Sequence, residues 1–203
     1  AREKLDLLTD LFKRGIDPGH SLVYCSDGST GLDDDGERHI DATTARLREE
    51  CDLTVERFTA RENQAERERL LAAFEEGDIP VLTSIRCLDE GVDVPATRTA
   101  YLLASTSNPR QYVQRRGRIL RQHANKKFAV IHDFITIPDT DRHPELLSDD
   151  QHDAERTLIR KELERVTTFA ESARNHPDAD VEGVPTTEQS LREVKRRYDL
   201  LTA

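Results

Sequence analysis

An arginine-rich segment carries the most specific chemical pattern in this sequence. It reads QRRGRILR over residues 114–121 and fits the spacing Q-x-x-G-R-x-x-R. On a helix, Arg118 and Arg121 would share one face. Two guanidinium groups aimed at one point suit a polyphosphate, because their planar donors match phosphate oxygens, and Gly117 permits close backbone approach. A solvated arginine-rich helix face is the simpler alternative, but it has no need of this Gln and Gly.

An acidic turn that contains a glycine lies upstream of this segment. It reads DEGVDVP over residues 89–95 and follows an apolar run at 79–85. Ligands bind α/β sheets at the carboxyl ends of parallel strands, and a carboxylate there can accept hydrogen bonds from a ribose. Alone, this turn is an ordinary acidic loop; together with residues 114–121 it indicates a nucleotide contact.

The sequence lacks the groups that hold the β- and γ-phosphates of ATP. It contains no G-x-x-x-x-G-K-[ST] loop and no D-E-x-H-like acid cluster. Its histidines have no ligand spacing, and Cys25, Cys51 and Cys87 form no C-x-x-C pair. We therefore predict buried, reduced cysteines and no metal site within this chain.

Short apolar runs alternate with helical patterns over the first two thirds of the chain. Apolar residues at helical spacing predict helices over 2–15, about 40–50, 62–76 and 108–122. Short apolar or alternating runs predict strands over 21–25, 54–59, 79–85, 99–105 and 128–134. This alternation predicts an α/β fold, a parallel sheet with helices on both faces. Residues 27–38 are acidic and Gly-rich and predict a solvated loop.

A different pattern follows residue 137. Residues 138–144 have the composition of a linker, and a final helix is predicted over about 187–201. Between them, 145–174 predicts a long charged helix whose apolar positions include Leu158, Leu163, Val166 and Phe169. We expect a sheet domain at 1–137 and a helical C-terminal extension at 138–203. The extension is expected to brace the fold; a link to a further part of the protein and an independent DNA-binding function are the alternatives.

The composition narrows the class of protein. The net charge of −10 argues, taken alone, against a nucleic-acid partner, although a global charge says little about one groove. A chain rich in Asp and Glu and poor in Lys resembles proteins of halophilic archaea and other salt-loving organisms; an acidic mesophilic protein is the alternative. Without a membrane-spanning run or secretory signal we expect a cytoplasmic protein. A chain that begins at Ala1 and has no Met is expected to be part of a longer protein.

The order of these motifs resembles the second RecA-like domain of superfamily 2 helicases. SLVYCSD at 21–27 resembles motif IV, and FTARENQAERERLLAAFEEGDIPVL at 58–82 resembles the segment after it. VLTSIRCLDEGVDVP at 81–95 resembles motif V, and SNPRQYVQRRGRILR at 107–121 resembles motif VI. The resemblance covers about residues 1–137 and is strongest to XPB-type repair helicases and to helicase subunits of type I and type III restriction enzymes.

The resemblance implies which residues meet a nucleotide. Arg121 would be the arginine finger that reaches the γ-phosphate of ATP, which the N-terminal RecA-like domain of the same protein would hold together with Mg²⁺. Arg118 would assist Arg121, and Gln114 would help to order the cleft. Gly91 and Asp93 would face the nucleotide, with Asp93 near the ribose.

The resemblance also implies nucleic-acid contacts at the ends of the strands. The corresponding residues are Ser26, Thr59, Arg61, Ser84 and Arg86, and they would contact phosphates rather than bases. At the position of Arg86 many relatives carry an acid or a small polar residue, so this chain departs from the family pattern there. DNA is the expected track, and RNA is the alternative.

These implications point to the C-terminal half of an ATP-dependent DNA helicase or translocase, inactive without its N-terminal ATP-binding domain. Two other functions stay open. A non-catalytic RecA-like module would act as a scaffold or nucleic-acid clamp, although such a module does not need both Arg118 and Arg121. The second open function is that of a motor subunit of a restriction or defence nuclease.

Overall fold

The structure of the chain is a computed structural model. The residues that it describes are 2–26, 39–59, 61–85, 93–104, 117, 119, 121–124, 126–137, 148–171, 173–176, 178–179, 185–198 and 200. Some residues with predicted roles lie outside these ranges: Arg86, Cys87, Gly91, Gln114, Arg118 and the predicted loop 27–38. The chain divides into two units, Ala1–Phe134 and Ile135–Ala203. The functional boundary expected after residue 137 stays a prediction.

The first unit is built on a sheet of five strands. These are β1 (Ser21–Tyr24), β2 (Val55–Phe58), β3 (Val81–Ser84), β4 (Thr99–Leu102) and β5 (Val130–Asp133). They lie in the order β2-β3-β1-β4-β5, and every neighbouring pair is parallel. The predicted α/β class and parallel sheet are therefore confirmed. All carboxyl ends share one edge of the sheet, which is the edge where such folds bind ligands.

Burial along the strands explains their sequence patterns. All four residues of β1 and of β3 are buried, as expected for central parallel strands that are covered on both faces. The edge strand β2 (VERF) instead buries only its first and last residues, so its sequence mixes apolar and charged residues. The strand at the opposite side of the sheet is β5, and its first residue, Val130, is 43% exposed.

Three described helices accompany this sheet: α1 (Arg2–Lys13), α2 (His39–Cys51) and α3 (Gln64–Glu76). Leu5, Leu8 and Phe12 of α1 are buried and Leu11 is half-buried, so the apolar residues at helical spacing in the predicted 2–15 helix face the interior. A capping box between Asn63 and Glu66 begins α3. Gly77 ends it with a φ of 90°, a left-handed conformation that favours glycine.

The helix predicted over 108–122 ends earlier than expected. Gly117 and Ile119 are helical, whereas Arg121 and Gln122 lie beyond the helix. The carbonyl of Ile119 accepts a hydrogen bond from Lys126 Nζ at 2.9 Å, so a side chain satisfies a carbonyl at the end of this helix. Arg118 lies outside the described residues, so the prediction that it shares a face with Arg121 stays a prediction.

The second unit contains helices α4 (Asp149–Ala170) and α5 (Thr187–Arg197). Both helices are shorter than predicted: α4 begins later, after a capping box at Ser148, and ends at Ala170. Helix α5 begins as predicted, after a capping box at Thr186, but already ends at Arg197. Their apolar residues form one cluster: Ile159, Leu163, Leu191, Tyr198 and Leu200. Leu158, which was expected on the apolar face, is 45% exposed, and its neighbour Ile159 is buried instead. Across the described residues, no helix is long and apolar enough to cross a membrane.

Candidate functional site

Three of the residues predicted to contact nucleic acid lie at the carboxyl ends of neighbouring strands, which we call the carboxyl edge of the sheet. Ser84 ends β3 and pairs in register with Tyr24, the last residue of β1, and with Phe58, the last residue of β2. Ser26 and Thr59 follow those two strands at the same edge. The fold therefore places Ser26, Thr59 and Ser84 at the ends of three neighbouring strands.

Thr59 is held by a carboxylate in the turn that leads into α3. Its backbone N–H donates to Glu62 Oε2 at 2.6 Å, and its hydroxyl donates to the same oxygen at 2.8 Å. Arg61 is exposed, and its backbone N–H donates to the Thr59 hydroxyl at 3.2 Å. The Glu62 carboxylate thus accepts the two hydrogen bonds that Thr59 would offer to a phosphate, and an anion that binds Thr59 has to displace it.

Ser26 is held by a histidine that sequence reasoning missed. His39 begins α2 and is 2% exposed. Its Nδ1 accepts a hydrogen bond from the Ser26 backbone N–H at 3.2 Å and lies 3.1 Å from the Ser26 hydroxyl oxygen. Burial lowers the pKa of His39, which agrees with an Nδ1 that acts as an acceptor. His39 has no catalytic or ligand spacing in the sequence, so only the fold identifies it.

Two further residues at this edge are buried. The Ser84 side chain is inaccessible, and its Oγ has no hydrogen-bond partner among the described residues, so a phosphate contact there requires the surrounding packing to open. Next to Ser26, burial raises the pKa of the Cys25 thiol to about 12, so Cys25 stays protonated and unreactive at neutral pH.

Two of the residues predicted to bind a nucleotide, Asp93 and Arg121, contact each other although they are 28 positions apart in the sequence. Arg121 Nη1 donates to Asp93 Oδ2 in an ion pair. The Arg121 side chain is 56% exposed and that of Asp93 is 25% exposed. An ion pair of this exposure contributes at most about 1 kcal/mol to stability. Its significance is therefore positional, since it joins the C-terminal end of the 89–95 segment to the end of the 114–121 segment.

The Asp93–Arg121 pair retains groups that fit a nucleotide. Asp93 Oδ1 has no hydrogen-bond partner among the described residues and could accept from a ribose hydroxyl, but it is buried, so this contact requires the surrounding packing to open. Arg121 donates to Asp93 through Nη1 and has further N–H donors for phosphate oxygens. Within the described part of the chain, no group of three or more His, Cys, Asp or Glu residues is placed to hold a metal ion.

A lysine outside both predicted motifs links them. Lys126 Nζ donates to the carbonyls of Pro95 at 2.8 Å, Thr97 at 3.1 Å and Ile119 at 2.9 Å. Sequence reasoning missed Lys126 because nothing in its spacing points to the two motifs. The only signal in the sequence was weak: Lys126 is one of the few lysines in an arginine-dominated chain.

Comparison with known proteins identifies the family to which this fold belongs. A family described as "Helicase conserved C-terminal domain" matches residues 3–123. The chain is 36% identical over 78 residues to the DNA 3'-5' translocase XPB2 of Sulfurisphaera tokodaii, a match that covers 38% of this chain and 17% of that protein. It is 24% identical over 143 residues to eukaryotic initiation factor 4A of Cryptosporidium parvum, covering 69% of this chain and 33% of that protein.

A solved structure agrees with these matches. A variant of S. cerevisiae Dbp5 bound to RNA and ADP BeF3 aligns with a TM-score of 0.52 at 19% identity, covering 99% of this chain and 43% of that one. At this identity the likeness shows the fold alone. The chain spans a sixth to a third of the length of the two curated relatives that it matches.

Proposed function

Since the chain belongs to the helicase conserved C-terminal domain family of superfamily 2, we propose that it supplies the second RecA-like half of an ATP-dependent DNA helicase or translocase. The sequence contains no phosphate-binding loop, so ATP and Mg²⁺ would be held mainly by an N-terminal RecA-like domain of the same protein. The chain alone is then expected to hydrolyse no ATP.

The observation that carries this proposal is the contact between Arg121 and Asp93. In the proposed function, Asp93 accepts a hydrogen bond from the ribose, and Arg121 brings positive charge to the transferred phosphoryl group. Arg118 and Gln114 would act beside Arg121, and Gly91 beside Asp93. Arg121 is more than half exposed and can reach a ligand directly, whereas the unpaired oxygen of Asp93 is buried and would become accessible only when the nucleotide opens the packing around it.

The nucleic acid would lie across the carboxyl edge of β2, β3 and β1. Ser26 and Arg61 would contact phosphates there, Thr59 would do so once it releases the Glu62 carboxylate, and Ser84 and Arg86 would complete the set. Contacts to phosphates suit a motor, because they carry no base readout. We propose DNA as the track because the relative with 36% identity is a DNA translocase.

The proposal is tested by DNA-stimulated ATP hydrolysis of the whole protein that contains this chain, comparing wild type with Arg121→Ala. Loss of an arginine finger lowers turnover by about three to five powers of ten. Arg57→Ala is the matched control, since Arg57 also forms an exposed ion pair with an aspartate, Asp41, at 2.6 Å, and its side chain is 55% exposed. We expect Arg57→Ala to keep turnover within about threefold of wild type, as exposed pairs have small effects.

Three outcomes would change the conclusion. If Arg121→Ala folds and keeps wild-type turnover, Arg121 is not the arginine finger. If the wild-type protein hydrolyses no ATP with any nucleic acid, the chain is a scaffold or clamp. Stimulation by RNA but not by DNA would keep the helicase and change its track.

A further inference from the structure

The ammonium group of Lys126 binds two segments that the sequence keeps apart. Residues 94–97 form a turn in which the Thr97 N–H donates to the Val94 carbonyl at 3.1 Å. Lys126 Nζ contacts two carbonyls of that turn, at Pro95 and Thr97, and one at the end of the helical segment, at Ile119. An ammonium has three N–H donors, so each of them has one carbonyl.

The two bound segments are the ones that carry the proposed nucleotide residues. Asp93 lies two positions before Pro95, and Arg121 lies two positions after Ile119. The Asp93–Arg121 ion pair is exposed and weak, so it cannot by itself hold the two segments in place. Pro95 and Lys126 are partly buried, and Thr97 and Ile119 are buried, so the three lysine contacts are shielded from water and hold more firmly.

We propose that Lys126 is a positioning residue that sets the distance between Asp93 and Arg121 by tying the 94–97 turn to the end of the helical segment at Ile119. The proposal rests on the proposed function, because it makes the arginine finger depend on a lysine that contacts the backbone of both motifs. Without the ammonium, the carbonyls of Pro95, Thr97 and Ile119 lose a shared partner and the two segments can separate. Burial also lowers the pKa of Lys126, as expected for an ammonium enclosed by backbone.

Lys126→Met tests this role, because methionine keeps the apolar stem and removes all three donors. In the whole protein, we expect the kcat of DNA-stimulated ATP hydrolysis to fall by about 100-fold, the cost of a catalytic group displaced by about 1 Å. The KM for ATP should change much less than kcat, since most of the phosphate binding would come from the other domain. Lys127→Met is the matched control: its side chain is exposed, it is the adjacent lysine, and turnover should stay at the wild-type level.

A double variant separates positioning from a general structural role. If Lys126 acts through Arg121, Lys126→Met should add almost nothing to the loss already caused by Arg121→Ala, because the group that it positions is gone. Independent structural damage would instead multiply the two losses. Hydrogen exchange of the whole protein gives a second measurement: Lys126→Met should speed exchange at residues 94–98 and 119–121 and leave the central strands β1 and β3 unchanged.

The outcomes distinguish the two proposals. If Arg121→Ala abolishes turnover but Lys126→Met does not, or if the two losses multiply, the positioning role is wrong and the helicase function stands. If Arg121→Ala has no effect, the proposed role of Arg121 fails, and the positioning role of Lys126 fails with it. Should Lys126→Met not fold, Lys126→Arg replaces it in the same cycle, since arginine keeps the charge but its planar fork does not place three donors as an ammonium does.

Discussion

At the scale of single residues, the two carboxylate oxygens of Asp93 lie in different surroundings. One oxygen accepts from Arg121, and the other is buried without a described partner. The sequence predicted that Asp93 and Arg121 would face one ligand, from motif order alone. It did not predict that they contact each other, because that contact depends on the path of the chain between them and on Lys126. Whether they bind ATP stays a prediction.

His39 should make the stability of the chain sensitive to mild acid. Burial lowers the pKa of His39 below its ordinary value of 6.5, so the unfolded chain takes up this proton more readily than the folded chain. The contribution of neutral His39 is therefore present above about pH 6.5 and is lost as the pH falls through the folded-state pKa. Urea unfolding between pH 7.5 and about 5 measures the loss.

His39→Asn is the informative variant, since an amide oxygen can accept from Ser26 but does not titrate. Its free energy of unfolding should fall less steeply with acid than that of wild type. Thr43→Val is the control, because Thr43 donates to the His39 carbonyl in the same helix and does not titrate. It should lower stability and keep the wild-type slope. His132, whose pKa burial also lowers, contributes equally to all three proteins. Identical slopes for wild type and His39→Asn would contradict the assignment.

At the scale of elements, patterns predicted which strands and helices exist better than where they end. The strands were predictable because apolar runs such as SLVY are fully buried. Helix ends depend on single groups that periodicity does not detect, such as the capping side chain of Ser148. The carbonyl of Ile119, the last described helical residue of the 108–122 segment, is bound by Lys126 from a later part of the chain. No local pattern within that helix encodes this contact.

Gly117 gives an element-scale prediction, because it is helical and exposed. A Cβ at Gly117 would meet no atom of the described residues within 4 Å, and its φ is not left-handed. Gly117→Ala should therefore fold and gain up to about 1 kcal/mol of stability from the higher helix propensity of alanine. If ATP turnover of the whole protein nevertheless falls, the glycine is needed for close approach of a ligand and not for the fold.

Thermal unfolding of the variants checks this expectation. Gly77→Ala is the opposite case, since Gly77 has a φ of 90°, and it should lose about 1 kcal/mol or more. A Gly117→Ala protein that is less stable than wild type would show that the helix places this residue under a constraint that its open surroundings do not reveal.

At the scale of the whole molecule, we expect salt to stabilise the fold and to weaken DNA binding. The first effect follows from the charge, since the chain has 40 acidic and 30 basic residues. Screening reduces repulsion among the acidic groups, since the Debye length shrinks from about 10 Å at 0.1 M to about 3 Å at 1 M. The melting temperature should therefore rise over this range. DNA binding should weaken, because phosphate contacts release counterions that added salt opposes.

Melting curves and DNA titrations in KCl measure the two responses. A melting temperature that falls with salt would show that favourable ion pairs outweigh the net repulsion, and would contradict the interpretation of the composition as a salt adaptation. An affinity for DNA that does not depend on salt would contradict phosphate contacts at the carboxyl edge of the sheet.

The position of β1 has a consequence for how the chain is made. β1 is central in the sheet, yet its partners come later: Ser21 pairs with Val81, 60 residues on, and with Thr99, 78 residues on. At about 5–20 residues per second of synthesis, β1 waits roughly 3 to 12 s for its first neighbour. During that time SLVY is an unpaired apolar strand, the kind of segment that associates with other nascent chains. We therefore expect the yield of folded protein to depend on translation speed and on chaperones that cover residues 21–24 before β3 emerges.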